Sequence, residues 1–296
     1  MHSRPTDLDG FPTPALSSLV CVRFLETHRD LRAWAARYGD LISEPNLELM
    51  CLHHILVAPW HTPAQLKLHN RLSTWMFASD TAVERARTLA EVEEILRRWR
   101  RAAEGCETDP DDQLIRCLAD ICAELRTAPL WPHLADQWLD LLDHTLAGLR
   151  TERVRRIELA AGGPPPSVEE YLAASDNIQV RWCYLSYWIA AGDLTLLEHL
   201  DTLLPALWES QVAIRWANDF RSVQRGAGES KPGDSYLLDL GLAELRDRAL
   251  GAVRACAELL QPLLAAGVPE AIGLDRGTRT VVDFYLLSDY RPEGQT

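Results

Sequence analysis

The sequence predicts an all-α fold, and three observations carry that prediction. Apolar residues recur at intervals of three and four, as in Leu89, Val92, Ile95, Leu96 and Trp99, and again in Leu114, Ile115, Leu118, Ile121, Cys122 and Leu125. No convincing run of alternating β-branched residues and no Asn-Gly hairpin signature interrupts them. Proline and glycine cut the chain into segments long enough to be helices of several turns.

The segments follow in order. Thr13-Pro14 precedes a first helix expected to reach about Tyr38, and Pro45 and Pro63 open the next two. Glu104 to Asp112 reads as a loop, and Pro132 opens a long helix to about Ala161. The run Gly162-Gly163-Pro164-Pro165-Pro166 stops it, because proline supplies no backbone N–H and clashes with the preceding turn. Ser167 and Glu170 form a capping box for a helix expected to continue to Gly192-Asp193. Pro205 suits the first turn of the following helix, which runs through Trp216 to the glycine-rich segment Gly226 to Asp234. A long helix is expected from about Tyr236. Gly267 and Pro269 separate it from a last helix ending near Tyr290.

Composition narrows the function classes. The chain has 296 residues, 47% hydrophobic and 25% charged, which suits one large folded unit. Residues 1–14 read as a disordered tail and 15–296 as a single α domain. With 30 Lys and Arg against 43 Asp and Glu, the net charge is −13. So acidic a chain opposes the counterion-driven contacts that bind nucleic acid or anionic lipid. No stretch approaches the roughly 18 apolar residues of a membrane span, and the N-terminus lacks a signal-peptide apolar core. The seven cysteines lack metal-ligand spacing and read as reduced thiols of a cytoplasmic protein.

Two segments carry chemistry. In Trp75-Met76-Phe77-Ala78-Ser79-Asp80-Thr81-Ala82-Val83-Glu84, the carboxylates of Asp80 and Glu84 are one helical turn apart, with Phe77 a turn earlier. They can share a hard cation such as Mg²⁺, which prefers oxygen ligands, or pair with Arg85 and Arg87 as ordinary surface charges. In Trp216-Ala217-Asn218-Asp219-Phe220-Arg221-Ser222-Val223-Gln224-Arg225, Asn218, Ser222 and Arg225 share one helix face. An amide oxygen and a hydroxyl at that spacing can ligate one Mg²⁺, with Arg225 placed to meet an anion on it; the plain alternative is a polar stripe near a helix end. Asp219 points elsewhere and is expected to pair with a cation on a neighbouring helix. The tryptophans Trp182, Trp188 and Trp216 fit either core packing or an aromatic pocket.

Taken together the two segments resemble the class I terpene synthases, single-domain helical bundles that cyclise isoprenyl diphosphates. Those enzymes carry an aspartate-rich motif preceded by an aromatic residue, and a second motif, NDxxSxxxE, on a helix more than a hundred residues later. Here the second reads NDFRSVQRG, and the helix opening PSVEEYL also resembles bacterial members. The resemblance spans residues 16 to 292. It implies three Mg²⁺ ions, with Asp80, Glu84, Asn218, Ser222 and Glu229 as the metal ligands. Arg225, Arg181, Lys231 and Arg291 would hold the diphosphate, and Phe77, Trp182, Trp188, Trp216 and Phe284 would line the pocket. Asp80, Asn218, Ser222 and Arg225 form its catalytic set. It further implies a C20 substrate, including a bicyclic copalyl-type diphosphate supplied by an upstream class II diterpene cyclase. A C15 farnesyl substrate and a terpenoid-binding protein without chemistry are the alternatives. Homodimerisation is a further property of the family.

Four positions depart from the family pattern. Gly226 stands where the second motif has its glutamate, and Glu229 can substitute only if the helix breaks after Gly226. Ser79 replaces one of the paired aspartates. Ser175-Asp176 stands where a diphosphate-sensing arginine is expected, and a late Arg-Tyr pair appears as Asp289-Tyr290, followed by Arg291.

Overall fold

The computed structural model describes residues 13–106, 109–226 and 240–290; the Arg225 side chain is outside that description. Among the described residues there are eleven α helices and no strands. The expected N-terminal tail, apart from its last two residues, lies outside them. So does most of the glycine-rich segment after Gly226.

Most boundaries follow local chemistry. Helix α1 (Pro14–Ala35) is capped by Thr13, whose hydroxyl accepts the Leu16 N–H at 3.2 Å. It stops before the expected Tyr38, where a 3-10 segment, Ala36–Leu41, turns through Gly39 at φ 62°. Helices α2 (Glu44–Val57) and α3 (Pro63–Arg85) carry proline in their first turns, and Thr62 and Gln65 close a capping box on α3. Helix α4 (Leu89–Glu104) begins with the Thr88 and Glu91 box and ends at left-handed Gly105. Helix α5 (Gln113–Leu125) takes its cap from Asp112, and α6 (Trp131–Ala160) is the longest. The carboxy-terminal helices are α9 (Leu200–Gly226), α10 (Leu242–Ala265) and α11 (Pro269–Leu287).

Three expectations need correction. The helix opened by Ser167 is not continuous. It forms α7 (Val168–Ala173), a 3-10 turn at Ser175–Ile178, and then α8 (Val180–Ala191). Pro205 lies inside α9 rather than in its first turn, because a 3-10 segment, Leu194–His199, leads into a helix that begins at Leu200. Helix α10 begins at Leu242, several residues after Tyr236.

Helix α8 is the axis of the bundle. Trp182 to Ile189 are all buried, so the helix is apolar all round, as a helix enclosed by others must be. Helices α3, α5, α6 and α9 pack around it. Five tryptophans link these layers in edge-to-face and tilted contacts. Trp99 meets Trp75 at 5.1 Å between centroids, Trp75 meets Trp182 at 5.8 Å, Trp182 meets Trp138 at 5.3 Å, and Trp138 meets Trp131 at 5.3 Å. Ser186 accepts the Trp138 indole N–H at 2.7 Å. All seven cysteines are free and five are buried. No helix among the described residues is long and apolar enough to cross a membrane.

The break between α7 and α8 is held against α6 by a missing side chain. A Cβ on Gly148 would lie 2.6 Å from the Asn177 nitrogen and 2.8 Å from the Ala174 carbonyl oxygen, and both are backbone atoms with little room to yield. Gly148→Ala is therefore expected to destabilise the fold by about 1–3 kcal/mol, the range for overpacking. Thermal unfolding of the variant checks this; a melting temperature equal to wild type would show that the break tolerates displacement.

Candidate active site

Three structural pieces meet at one end of the bundle: the last turns of α3, the carboxy-terminal half of α9, and the α7–α8 break. Contacts fix their common level. Arg153 of α6 donates to the carbonyls of Ala86 and Arg87, just past the end of α3, at 2.9 and 3.1 Å. Its neighbour Glu152 accepts a hydrogen bond from Asn177 in the break and lies 4.0 Å from Arg215 of α9. Ser79, next to Asp80, accepts the Gln179 amide N–H across the same gap at 3.2 Å.

On α3, Asp80 is half-buried and Glu84 exposed. Ser79, at the position of a missing aspartate, is fully buried. Its hydroxyl donates to the Met76 carbonyl at 2.8 Å while accepting from Gln179. That oxygen serves as a tether between α3 and the break. On α9, Gln211, Arg215, Asn218 and Ser222 fall on one face at helical spacing. Gln211 and Arg215 engage the break, and half-buried Asn218 and Ser222 continue the same face towards the helix end. Helix α9 persists through Gly226. The segment carrying Glu229 and Lys231, like Arg291, lies outside the described residues.

A buried ionic network sits beneath these donors. The Tyr171 hydroxyl donates to Asp219 and accepts from Arg215, whose guanidinium also stacks 4.6 Å above the Tyr171 ring. Arg215 further donates to the Asn177 side-chain carbonyl oxygen at 3.0 Å. Asp219 also lies 3.5 Å from Arg215 on its own helix. Burial raises the Glu152 pKa, but Arg215, Arg156 and the Asn177 amide outweigh it and hold the carboxyl below its ordinary value.

The break has its own charge pair. Arg181 donates through two nitrogens to buried Asp176, one bond measuring 2.8 Å, and its guanidinium lies 4.9 Å over the Trp208 ring. Gln211 completes the pair, donating to Asp176 at 2.9 Å and accepting the Arg181 backbone N–H at 3.2 Å. Asp176 therefore presents no unpaired negative charge to the site. Gln179 closes the break in a left-handed conformation, φ 64°, although it is not glycine and is only 3% exposed. Its amide oxygen is buried without a hydrogen-bond partner among the described residues. A strained, buried polar residue of this kind is characteristic of a functional segment.

The aromatic residues separate by position. Phe77 is half-buried and faces Tyr290 at 6.3 Å, while Phe284 lies 4.3 Å from the same ring. Trp182 and Trp188 are fully buried in the bundle axis, and neither indole N–H has a hydrogen-bond partner among the described residues. Trp216 packs between Tyr171, at 5.6 Å, and the Arg248 guanidinium, at 5.2 Å.

A second buried polar group lies behind this wall. His54 bonds to Asn70 at 2.7 Å through Nδ1 and lies 3.4 Å from the Ser73 hydroxyl through Nε2. His69 stacks on it at 3.7 Å and on Tyr187 at 4.5 Å. Burial pushes the His53 and His54 imidazoles down to about 3 and about 4, and holds His69 well below its ordinary value. None of Arg215, Tyr171, Glu152, Gln179 or these histidines was singled out by sequence. Arg215 had a readable signal, since it shares the helical face of Asn218 and Ser222.

The available donors are a carboxylate, an amide oxygen and a hydroxyl, with a second carboxylate in Glu84. All are hard oxygen groups that suit Mg²⁺ and offer nothing to a thiophilic metal.

Comparisons with known proteins identify the family and the fold. The family described as terpene synthase family 2, C-terminal metal binding, matches residues 71–236, which contain the α3 and α9 motifs and the break. The ent-pimara-9(11),15-diene synthase of Streptomyces sp. (strain KO-3988) is 28% identical over 274 residues, covering 91% of this chain and 92% of that one. The linalool/nerolidol synthase of Streptomyces clavuligerus, solved in complex with 2-fluorogeranyl diphosphate, has a TM-score of 0.66 at 17% identity, covering 90% of this chain and 94% of that chain. A cucumene synthase variant gives 0.68 at 16% identity, covering 90% and 95%.

Proposed function

The chain belongs to terpene synthase family 2, and from that premise we propose that it is a Mg²⁺-dependent class I cyclase of a C20 isoprenyl diphosphate. The substrate we favour is a bicyclic copalyl-type diphosphate made by a class II cyclase, and the product a terpene hydrocarbon or alcohol. The observation that carries the reading is the arrangement of Asp80 and of Asn218 with Ser222 on two helices at one end of the bundle, joined through the α7–α8 break. The preference for C20 rests on the diterpene synthase relative, similar over nine-tenths of both chains.

In this reading residues 15–296 act as one domain. Asp80 and Glu84 hold metal from α3, and Asn218 and Ser222 from α9, with Glu229 as the further ligand. Bound Mg²⁺ would neutralise the diphosphate and favour its departure. Arg225, Lys231 and Arg291 hold the leaving anion. Arg181 joins them only by giving up its two bonds to Asp176. Phe77 and Phe284 present aromatic faces to the carbocation, and Trp182, Trp188 and Trp216 support that wall. The reaction needs an enclosed apolar pocket that keeps water from the cation until the last step.

Ser79 in place of a motif carboxylate favours a second reading, a terpenoid-binding protein that has lost ionisation. Thermal shift separates the two. Copalyl or geranylgeranyl diphosphate should raise the melting temperature only with Mg²⁺ present, and the Asp80→Ala variant should lose most of that rise. A shift indifferent to Mg²⁺ and to Asp80 would favour the carrier; a shift with farnesyl diphosphate alone would move the substrate to C15.

A further inference from the structure

A cyclisation that ends in an alkene needs a proton acceptor; in this reading the motif carboxylates Asp80 and Glu84 are committed to metal, which leaves the departing diphosphate or a further side chain. We infer that Tyr290 and His53 form the proton relay that ends the reaction. This rests on the synthase reading above.

The pair sits in an aromatic cluster that includes Phe77 and Phe284, two of the proposed pocket residues. The Tyr290 ring is only 5% exposed and lies against Phe284 at 4.3 Å, Tyr285 at 5.0 Å and Phe77 at 6.3 Å. Phe77 is one turn from Asp80, so the Tyr290 ring stacks on a residue one turn from a proposed metal ligand. The Tyr290 hydroxyl lies 3.4 Å from His53 Nδ1, and the two rings meet edge to face at 85°. A hydroxyl donating into Nδ1 leaves the imidazole proton on Nε2, the neutral tautomer. His53 in turn meets His54 edge to face at 5.3 Å, and His54 is held by Asn70.

The chemistry of the cation selects such a pair. A carboxylate in the pocket could collapse onto the cation as an ester, and an imidazolium would repel it. A neutral phenol backed by a neutral imidazole does neither. Desolvation keeps His53 neutral, and it keeps the Tyr290 phenol protonated by raising its pKa. Although so desolvated an imidazole is a weak base, a C–H bond beside a cationic carbon is a far stronger acid than any imidazolium.

The step balances without a co-reactant. The C–H bond next to the cationic carbon breaks, and its electron pair becomes the new carbon–carbon double bond. The proton goes to the Tyr290 oxygen while the phenol's own proton passes to His53 Nδ1. The products are the alkene, a neutral tyrosine and an imidazolium, with nothing oxidised or reduced. Tyr290 is the catalytic group of the pair, and His53 acts through it as a positioning residue and proton sink.

Tyr290→Phe removes one oxygen and leaves the ring packing in place. His53→Leu removes the sink, and His53→Asn returns an acceptor near the Nδ1 position. Diphosphate release, KM and product distribution are measured for each with the substrate that the wild-type protein turns over. In Tyr290→Phe at least half of the product should move to other alkene isomers or to an alcohol formed by water capture, at an unchanged melting temperature. His53→Leu should show the same redirection, and so should His53→Asn, whose amide oxygen accepts a hydrogen bond but does not hold a proton. An unchanged product distribution in Tyr290→Phe overturns the relay and leaves the synthase reading standing, and that variant decides the question even if His53→Leu does not fold. A fall in rate and melting temperature with the distribution intact shows a structural role and also overturns it. A folded wild-type protein that releases no diphosphate from any isoprenyl substrate overturns both readings.

Discussion

Alanine at Asn218 is expected to lower diphosphate release by about a thousandfold, with a melting temperature within a few degrees of wild type. The magnitude is that of removing a group that stabilises charge developing in the transition state. Asn218 is only half-buried and sits beyond the part of α9 that Arg215 and Gln211 anchor, so the fold has little to lose. Ser222→Ala should cost less, about tenfold to a hundredfold, because a water can stand in for a hydroxyl ligand of Mg²⁺ more readily than for a positioned amide. Steady-state release of inorganic diphosphate at saturating Mg²⁺ measures both. An Asn218→Ala rate within a few-fold of wild type would remove α9 from the proposed metal site.

Mild acid is expected to destabilise the protein well before its carboxylates titrate. His53 and His54 have folded pKa values of about 3 and about 4, and His69 lies well below 6.5, the ordinary value. The unfolded chain therefore binds protons that the folded one refuses, and stability rises with pH across that window. The contribution is complete above about pH 6.5 and is lost as pH falls from there towards the folded values. At pH 5 His53 and His54 each cost about 2 kcal/mol, from about 1.4 kcal/mol per pH unit of mismatch, and His69 adds a cost of the same sign. Against a total stability of about 5–15 kcal/mol for an ordinary domain, a cost of that size is large. Melting temperature measured from pH 7.5 to 4.5 should fall steeply below pH 6.5. His69→Phe, which keeps an aromatic ring between His54 and Tyr187, should make the slope shallower. A melting temperature flat between pH 7 and 5 would contradict the buried neutral cluster. Glu152, held below the ordinary carboxylate range, adds a separate loss only at lower pH.

Local chemistry made much of the fold readable. Thr13 and Ser167 cap the helices that their positions before Pro14 and Glu170 suggest, because a cap depends on residues within one turn. The break at Ser175–Ile178 was not readable. Nothing in its own spacing stops a helix; Asp176 is held by Arg181, Gln211 comes from α9, and the space comes from Gly148 on α6. Pro205 misled in the opposite direction, since the helix begins more than a turn before it. In the site, Asp80, Asn218 and Ser222 could be named because their spacing is local. The Arg215 network and the histidine cluster could not, because they join residues far apart in sequence and their partners exist only once the helices pack.

The central claim is metal-dependent cyclisation of an isoprenyl diphosphate, and product analysis tests it most directly. Purified protein is incubated with Mg²⁺ and, separately, with geranyl, farnesyl, geranylgeranyl and copalyl diphosphates, and the extracts are resolved by gas chromatography and mass spectrometry. The account predicts a C20 hydrocarbon or alcohol, from copalyl diphosphate in the first instance, that disappears with chelator and in Asn218→Ala. A folded protein that yields no product from any of the four, or the same product with chelator present, would contradict it.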